Sequence, residues 1–537
     1  MNARYLSIYI TLIISFYTTL SFIYPPSMVS DAAKGFMVWK SMEEGALFNH
    51  YKSPFTEDIS RDTTKFLAKW SPGQYLIPAL ITKTGFNLGK ALTITTALFS
   101  LIGILGYYFL YRDLGFDRGI NLLSCTIATS MTFFAFPFGV YNGGEVLLFG
   151  VAPWIILLCL RNSDLIIWQL PVVVLIFLVG AFAKLSFVIC AIAVLFSLFI
   201  FKYRSASNIV PSTIIRYCIN ILIIFFSFYP ILYFIYTSKG HTAVNYSPGI
   251  SSPVGGLLFA LAAPLYSPLT LGDLINRFLM HPSNPIIHSY DEILPILFIL
   301  AMVAVFIYAR ILLHSHKKLY SSVLLGFLIT YITVFGFFYI TGAPITWEDR
   351  FFRIPGMLLI PGLIEMIGNL QNGFLKLLGY LAIFIACLSG VASFFVMKGM
   401  ISKNNIVGSQ GFTHYIISKE ALSILHYIDA NGPQGNNLIY VTSPEIALEV
   451  KRYRVLSSHA DYESLEELSK RKYRGSVDNL FLILQEKFLK NGKAEAILKS
   501  FSDYTYTNWR SLNVESFVIY YQGNNPEFWK KLLSEQK

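Results

Sequence analysis

Residues 5–45 read "YLSIYITLIISFYTTLSFIYPPSMVSDAAKGFMVWKSMEEG". The first twenty, 5–24, are apolar and long enough to cross a bilayer, which takes about 20 residues of helix. Pro25 and Pro26 break that helix, since proline lacks the N–H a continuing helix needs. No small-residue cleavage site follows, so the segment reads as a retained helix and not a removed signal peptide. Shortly afterwards Asp31 heads an amphipathic stretch, 32–42. A plain linker needs no acid there, and the rest of the chain decides what Asp31 is for.

Of 537 residues, 54% are hydrophobic and 14% charged, with a mean hydropathy of +0.55. Soluble proteins carry about 25% charged residues, so this composition is that of a polytopic membrane protein. The net charge of +11 could point to nucleic acid, but its distribution argues against such a partner. Residues 398–537 hold 18 basic and 15 acidic residues, while the remainder holds 24 basic and 16 acidic. Much of that second surplus falls in short loops, where it signals topology. Cys125, Cys159, Cys190, Cys218 and Cys387 all lie in apolar segments and act as small hydrophobes, with no metal or disulfide spacing.

Eleven spans are expected, near 5–24, 91–111, 120–137, 145–160, 165–182, 185–201, 213–236, 294–312, 321–341, 354–367 and 377–397. Arg4, Arg112, Arg118, Arg161, Lys202, Arg204, Arg310, Lys317 and Lys318 then fall on one side. The positive-inside rule makes that side cytoplasmic, with the N-terminus. It puts 25–90, 237–293, 342–353 and everything after 398 outside. The chain therefore reads as an integral protein of a bacterial plasma membrane, with a transmembrane domain over 1–397 and an extracytoplasmic domain over 398–537. Two outer segments are apolar but proline-broken. "WSPGQYLIPALITKTGF" from Trp70 is expected to lie in the interface, and "PVGGLLFALAAPLYSPLTL" from Pro253 to form a re-entrant or surface hairpin.

The region after 398 alternates strand and helix patterns. "NLIYVTS", "RVLSS" and "VESFVIYYQ" read as strands, and "EIALEVKRY", "YESLEELSKRKY" and "NLFLILQEKFLKNGKAEAILKSF" as helices, giving a small soluble α/β domain. No Walker A loop, GxGxxG, HExxH, CxxC or nucleophile elbow occurs, so no cofactor is expected.

Five residues on the outer side can carry chemistry. Asp31 follows the first span, and Glu145 in "YNGGEVLLFGVAPW" opens the fourth. Lys184 in "GAFAKLS" turns a hairpin, and Arg350 and Arg353 in "WEDRFFRIPGMLLIPGL" lead into a late span, three residues apart on one helix face. Each also has a plain structural role open to it. Asp31 could cap a helix, Glu145 could offset a helix dipole, and Lys184 could snorkel to head groups. The arginines could pair with Glu348 and Asp349 or with anionic lipid. His281, His288, Asp291 and Glu292 in "HPSNPIIHSYDE" have a loose spacing that could hold a metal.

The order of these features resembles the GT-C superfamily of membrane glycosyltransferases, which includes the protein O-mannosyltransferases and lipid A aminoarabinose transferases. The residues that carry the resemblance are Asp31, Gly45, "SPGQYLIPALI" from Ser71, and Arg350 or Arg353 with Pro355. Ala32 stands where that pattern often has a second acid. The resemblance implies a polyprenyl-phosphate-linked sugar donor, a lipid, glycan or protein acceptor, and inversion at the sugar carbon. It implies Asp31 as general base and Glu145 as second acid or orienting partner. Lys184, Arg350 and Arg353 would bind the donor phosphate. A flippase or transporter of lipid-linked saccharide, or an O-antigen polymerase or ligase-like protein, are the alternatives.

Overall fold

The computed structural model describes residues 3–67, 70–162, 169–205, 253–269, 293–343, 345, 347–404, 406–461, 463–505 and 508–535, with scattered residues between 215 and 229. The expected span near 213–236 lies largely outside the described residues. The expected outer segment 237–293 does so apart from the helix described below, and so does the His281–His288–Asp291–Glu292 cluster. Among the described residues no group of three or more His, Cys, Asp or Glu side chains could hold a metal.

The chain opens with α1 (Ala3–Ile23), β1 (Ser27–Met28), α2 (Ser30–Glu43), and a hairpin of β2 (His50–Phe55) and β3 (Asp58–Phe66). The bundle continues with α3 (Gly73–Thr82), α4 (Leu88–Asp113), α5 (Arg118–Ser130), α6 (Thr132–Gly139), β4 (Val140–Tyr141), α7 (Gly144–Arg161), α8 (Leu170–Ala183) and α9 (Phe187–Ser205). It is completed by α10 (Pro253–Leu269), α11 (Leu294–His314), α12 (Lys318–Ile340), α13 (Arg353–Gly368) and α14 (Gly373–Asn404).

Eight of the described helices are long and apolar enough to cross a membrane, and the pair α5–α6, bent by 45° at Met131, is a ninth if counted as one span. The protein is a polytopic α-helical membrane protein. The count differs from eleven because α8, 14 residues long, is shorter than a span and one expected span is not described. Over its described residues the segment from Pro253 forms no hairpin. It is one helix of 17 residues, α10, packed against α11, α12 and α13. Prolines are tolerated inside such a helix where neighbours satisfy its polar groups. Tyr308 donates to the Leu261 carbonyl at 3.1 Å, and Ser267 to that of Asp349 at 2.7 Å.

The loop cations gather at one end of the bundle. Arg161 pairs with Asp113 at 2.9 Å, Arg204 donates to Ser321 at 3.0 Å, and Lys317 pairs with Glu365. The opposite end carries a second unit, built around a five-stranded sheet of β7 (Asn437–Val441), β8 (Arg454–Ser457), β9 (Asn479–Gln485), β10 (Arg510–Val514) and β11 (Phe517–Gly523). Two short strands precede it, β5 (Ile406–Val407) and β6 (Thr413–His414). The strand order is β10-β11-β9-β7-β8, with β7 parallel to both β8 and β9.

Two expectations for this unit fail. "NLFLILQ" is the central strand β9 and not a helix. All seven of its residues are buried, as befits a strand covered on both faces. "EIALEVKRY" is helical only over Pro444–Ala447. Beyond it, the Asp429 carboxylate accepts the backbone N–H groups of Lys451, Arg452 and Tyr453 at 2.7–3.0 Å, so these cannot extend a helix.

The first loop and the C-terminal unit share one core. Phe36, Met37 and Val38 of α2 pack with Ile446, Ile439 and Phe481, and each such side chain contributes about 1.5–3 kcal/mol when buried. Arg454 grips Asp62 of β3 through Nε and Nη2, at 2.9 and 2.7 Å. Ala32 is 1% exposed in this core, so a second carboxylate at that position would sit among hydrocarbon.

Candidate active site

Strands β1 and β4 pair in parallel, Ser27 with Val140 and Met28 with Tyr141, and Val29 donates to the Tyr141 carbonyl at 3.0 Å. The pairing fixes the start of α2 against the start of α7. The helix α2 is capped by Val29, and Asp31 lies in its first turn. Asp31 is therefore not the N-cap. Its carboxylate is half-buried and accepts no hydrogen bond among the described residues.

Glu145 enters the site through two glycines. Gly143 has φ +68°, and a Cβ there would meet Gln74 Oε1 at 2.4 Å. A Cβ on Gly144 would stand 2.8 Å from the Ala183 carbonyl. Only a Gly-Gly step lets α7 start this close to the α8–α9 turn, where Lys184 sits in extended backbone. Glu145 is 7% exposed and ion-pairs with Lys184. Its Oε1 also lies 3.7 Å from Arg350 Nε, and Arg350 pairs in turn with Glu348.

Arg350 and Arg353 lie on one helical run, Asp349–Gly368, whose winding changes between them. Arg350 lies in a 3₁₀ turn, Asp349–Phe352, and Arg353 begins α13. Side chains three apart eclipse in 3₁₀ geometry, so both still point into the bundle. Arg353 lies over the Phe133 ring at 5.6 Å, and its Nε is buried without a hydrogen-bond partner.

All five residues converge on two adjoining cavities. The larger, about 430 Å³, is lined by Asp31, Glu145, Lys184 and Arg350. The smaller, about 40 Å³, is lined by Glu145, Lys184, Arg350 and Arg353. Asp31 and Arg353 thus mark opposite ends, with the other three between. Val188, Phe335, Phe338 and Ile345 give the larger cavity an apolar wall.

The reading of the sequence missed Gln74 and Asn142, which also line the larger cavity. Gln74 Nε2 and Asn142 Oδ1 are buried without partners. Gln74 was visible as the lone amide in the apolar stretch "GQYLIPALI". It also missed Glu445, behind Asp31, which accepts a hydrogen bond from Ser30 at 3.1 Å. Burial pushes the Glu445 carboxyl up to about 7, and the Asp31 and Asp461 charges add to that.

No family model and no curated protein matches the chain. Among solved structures, ArnT from Cupriavidus metallidurans bound to undecaprenyl phosphate superposes over 97% of this chain and 98% of its own, with TM-score 0.52 and 10% identity. The chain has the fold of ArnT. At this identity the likeness is one of fold. The apo state of ArnT from the same organism gives TM-score 0.49 at 9% identity over 96% of this chain and 98% of that one. The arabinofuranosyltransferase AftD from Mycobacteria gives 0.47 at 11% identity over 98% of this chain, which spans 40% of AftD's length.

Proposed function

We propose that the protein is a glycosyltransferase that moves a sugar from a polyprenyl-phosphate-linked donor to an acceptor at the outer face of the membrane. The observation that carries this reading is the order of charges along the joined cavities: a carboxylate with no hydrogen bond, Asp31, at one end, Arg353 at the other, and Glu145 with Lys184 and Arg350 between.

In the proposed reaction the acceptor hydroxyl oxygen attacks the anomeric carbon. The new C–O bond forms as the bond to the phosphate oxygen breaks, and attack from the opposite side inverts the carbon. The hydroxyl proton passes to Asp31. The electron pair leaves with the polyprenyl phosphate, whose charge is met by Arg353, Arg350 and Lys184. The unpartnered Nε of Arg353 is the donor most in need of such an anion. Glu145 holds Lys184 and Arg350 in position and is an orienting partner in this scheme. The apolar wall beside the cations suits the first isoprene units. The concentration of charge at the end carrying the sheet unit, and not midway along the helices, favours transfer over transport.

The test is turnover by purified protein in nanodiscs with a panel of polyprenyl-phosphate sugars. Release of polyprenyl phosphate that depends on both donor and acceptor supports the reading; no release from any donor overturns it.

A further inference from the structure

A second polar cavity lies in the C-terminal unit, about 270 Å³ in volume. Thr442 and Ser443 beyond β7, His459 beyond β8, and Gln485 and Lys487 at the end of β9 line it, and Ser30 of α2 closes one side. These are the carboxyl ends of the three parallel strands. From β7 the chain continues to β8 on one side while β9 lies on the other, and crevices at such points are where open α/β sheets take ligands.

Thr442 Oγ1 and Ser443 Oγ are buried without hydrogen-bond partners, at residues 1% and 4% exposed. Folded proteins rarely leave such hydroxyls empty-handed, and both line this cavity. Asp461 and Lys487 pair at its edge, so their charges offset each other. Two hydroxyls, an amide and an imidazole around a neutral wall match a ligand that both donates and accepts at many points. An anion would need a cationic surplus, and an apolar ligand would leave the hydroxyls unmet.

We infer that this cavity binds a saccharide unit of the acceptor. The inference rests on the transferase reading for the word acceptor, and on the cavity alone for the saccharide. Ser30 lines this cavity and the next residue, Asp31, lines the larger one beneath. The first turn of α2 therefore lies between the two. A glycan seated at Thr442 and Ser443 extends its terminal hydroxyl past Ser30 toward Asp31.

The test uses full-length protein in nanodiscs on an array of mono- to tetrasaccharides, without donor. The wild type should retain a subset of these glycans. Thr442→Val with Ser443→Ala should cut that retention roughly tenfold or more. The same variant should bind undecaprenyl phosphate as the wild type does and melt no lower, because it removes two unmet polar groups. Lys487→Ala, at the exposed rim, should show a loss in the same direction and serves if the buried changes prevent folding. Retention of no glycan by the wild type, or equal retention by the variants, overturns the inference. Because no donor is present, that failure is separate from failure of the transferase reading, which turnover and donor binding report.

Discussion

Arg350 Nε lies 3.7 Å from Glu145 Oε1, the same oxygen that holds Lys184. One buried carboxylate thus serves two cations, with Arg353 close enough to feel its charge. Taking away one partner of a buried ion pair costs about 3–5 kcal/mol. Glu145→Gln should therefore lower the melting temperature by several degrees. Undecaprenyl phosphate, if it sits among these cations, replaces the missing negative charge and should stabilise Glu145→Gln more than wild type. Thermal unfolding with and without the lipid checks this. Equal shifts in the two proteins would separate Glu145 from the phosphate site.

Arg353 tests the phosphate contact itself. Lysine keeps the charge but not the planar fork, so Arg353→Lys should weaken undecaprenyl phosphate binding roughly tenfold. Arg350→Ala with Arg353→Ala should weaken it further. Unchanged affinity in the double variant, measured by lipid titration, would leave these residues as anchors for ordinary head groups.

Glu445 makes a prediction about pH. Its folded carboxyl stands at about 7, above the ordinary 4.5, so the folded protein holds the proton more tightly than the unfolded chain. Stability must then fall as pH rises from the ordinary value through about 7. Glu445→Gln removes that penalty. It should stabilise the C-terminal unit by about 3 kcal/mol near pH 8 and by nothing near pH 4. Unfolding curves across that range check it, and a gain independent of pH would contradict the buried, protonated state beside Asp31 and Asp461.

Much of this arrangement was legible in the sequence. The apolar runs gave nine of the eleven expected spans, with the bent pair α5–α6 counted as one, because about twenty apolar residues suffice to cross a bilayer. Asp31, Glu145, Lys184, Arg350 and Arg353 each stood out as charges at the ends of those runs. Their convergence did not, since it depends on the pairing of Ser27 with Val140 and on Gly143 and Gly144 admitting α7 beside Lys184. Strand β9 was misread because a short apolar run has no periodicity to distinguish strand from helix. The tie between Asp62 and Arg454 joins positions 392 residues apart and leaves no local trace. The cavity at Thr442 and Ser443 is likewise built from the ends of separate strands.

The central claim is that Asp31 accepts the proton of the acceptor hydroxyl. Asp31→Asn keeps the size and hydrogen-bonding reach of the side chain but cannot take that proton. The residue is half-buried and caps nothing, so folding and undecaprenyl phosphate binding should hardly change. The decisive measurement is turnover of a polyprenyl-phosphate sugar by purified Asp31→Asn protein, with lipid binding as the folding control. A fall of about a hundred- to ten-thousand-fold at unchanged lipid affinity is the predicted result. Turnover within a few-fold of wild type would contradict the account.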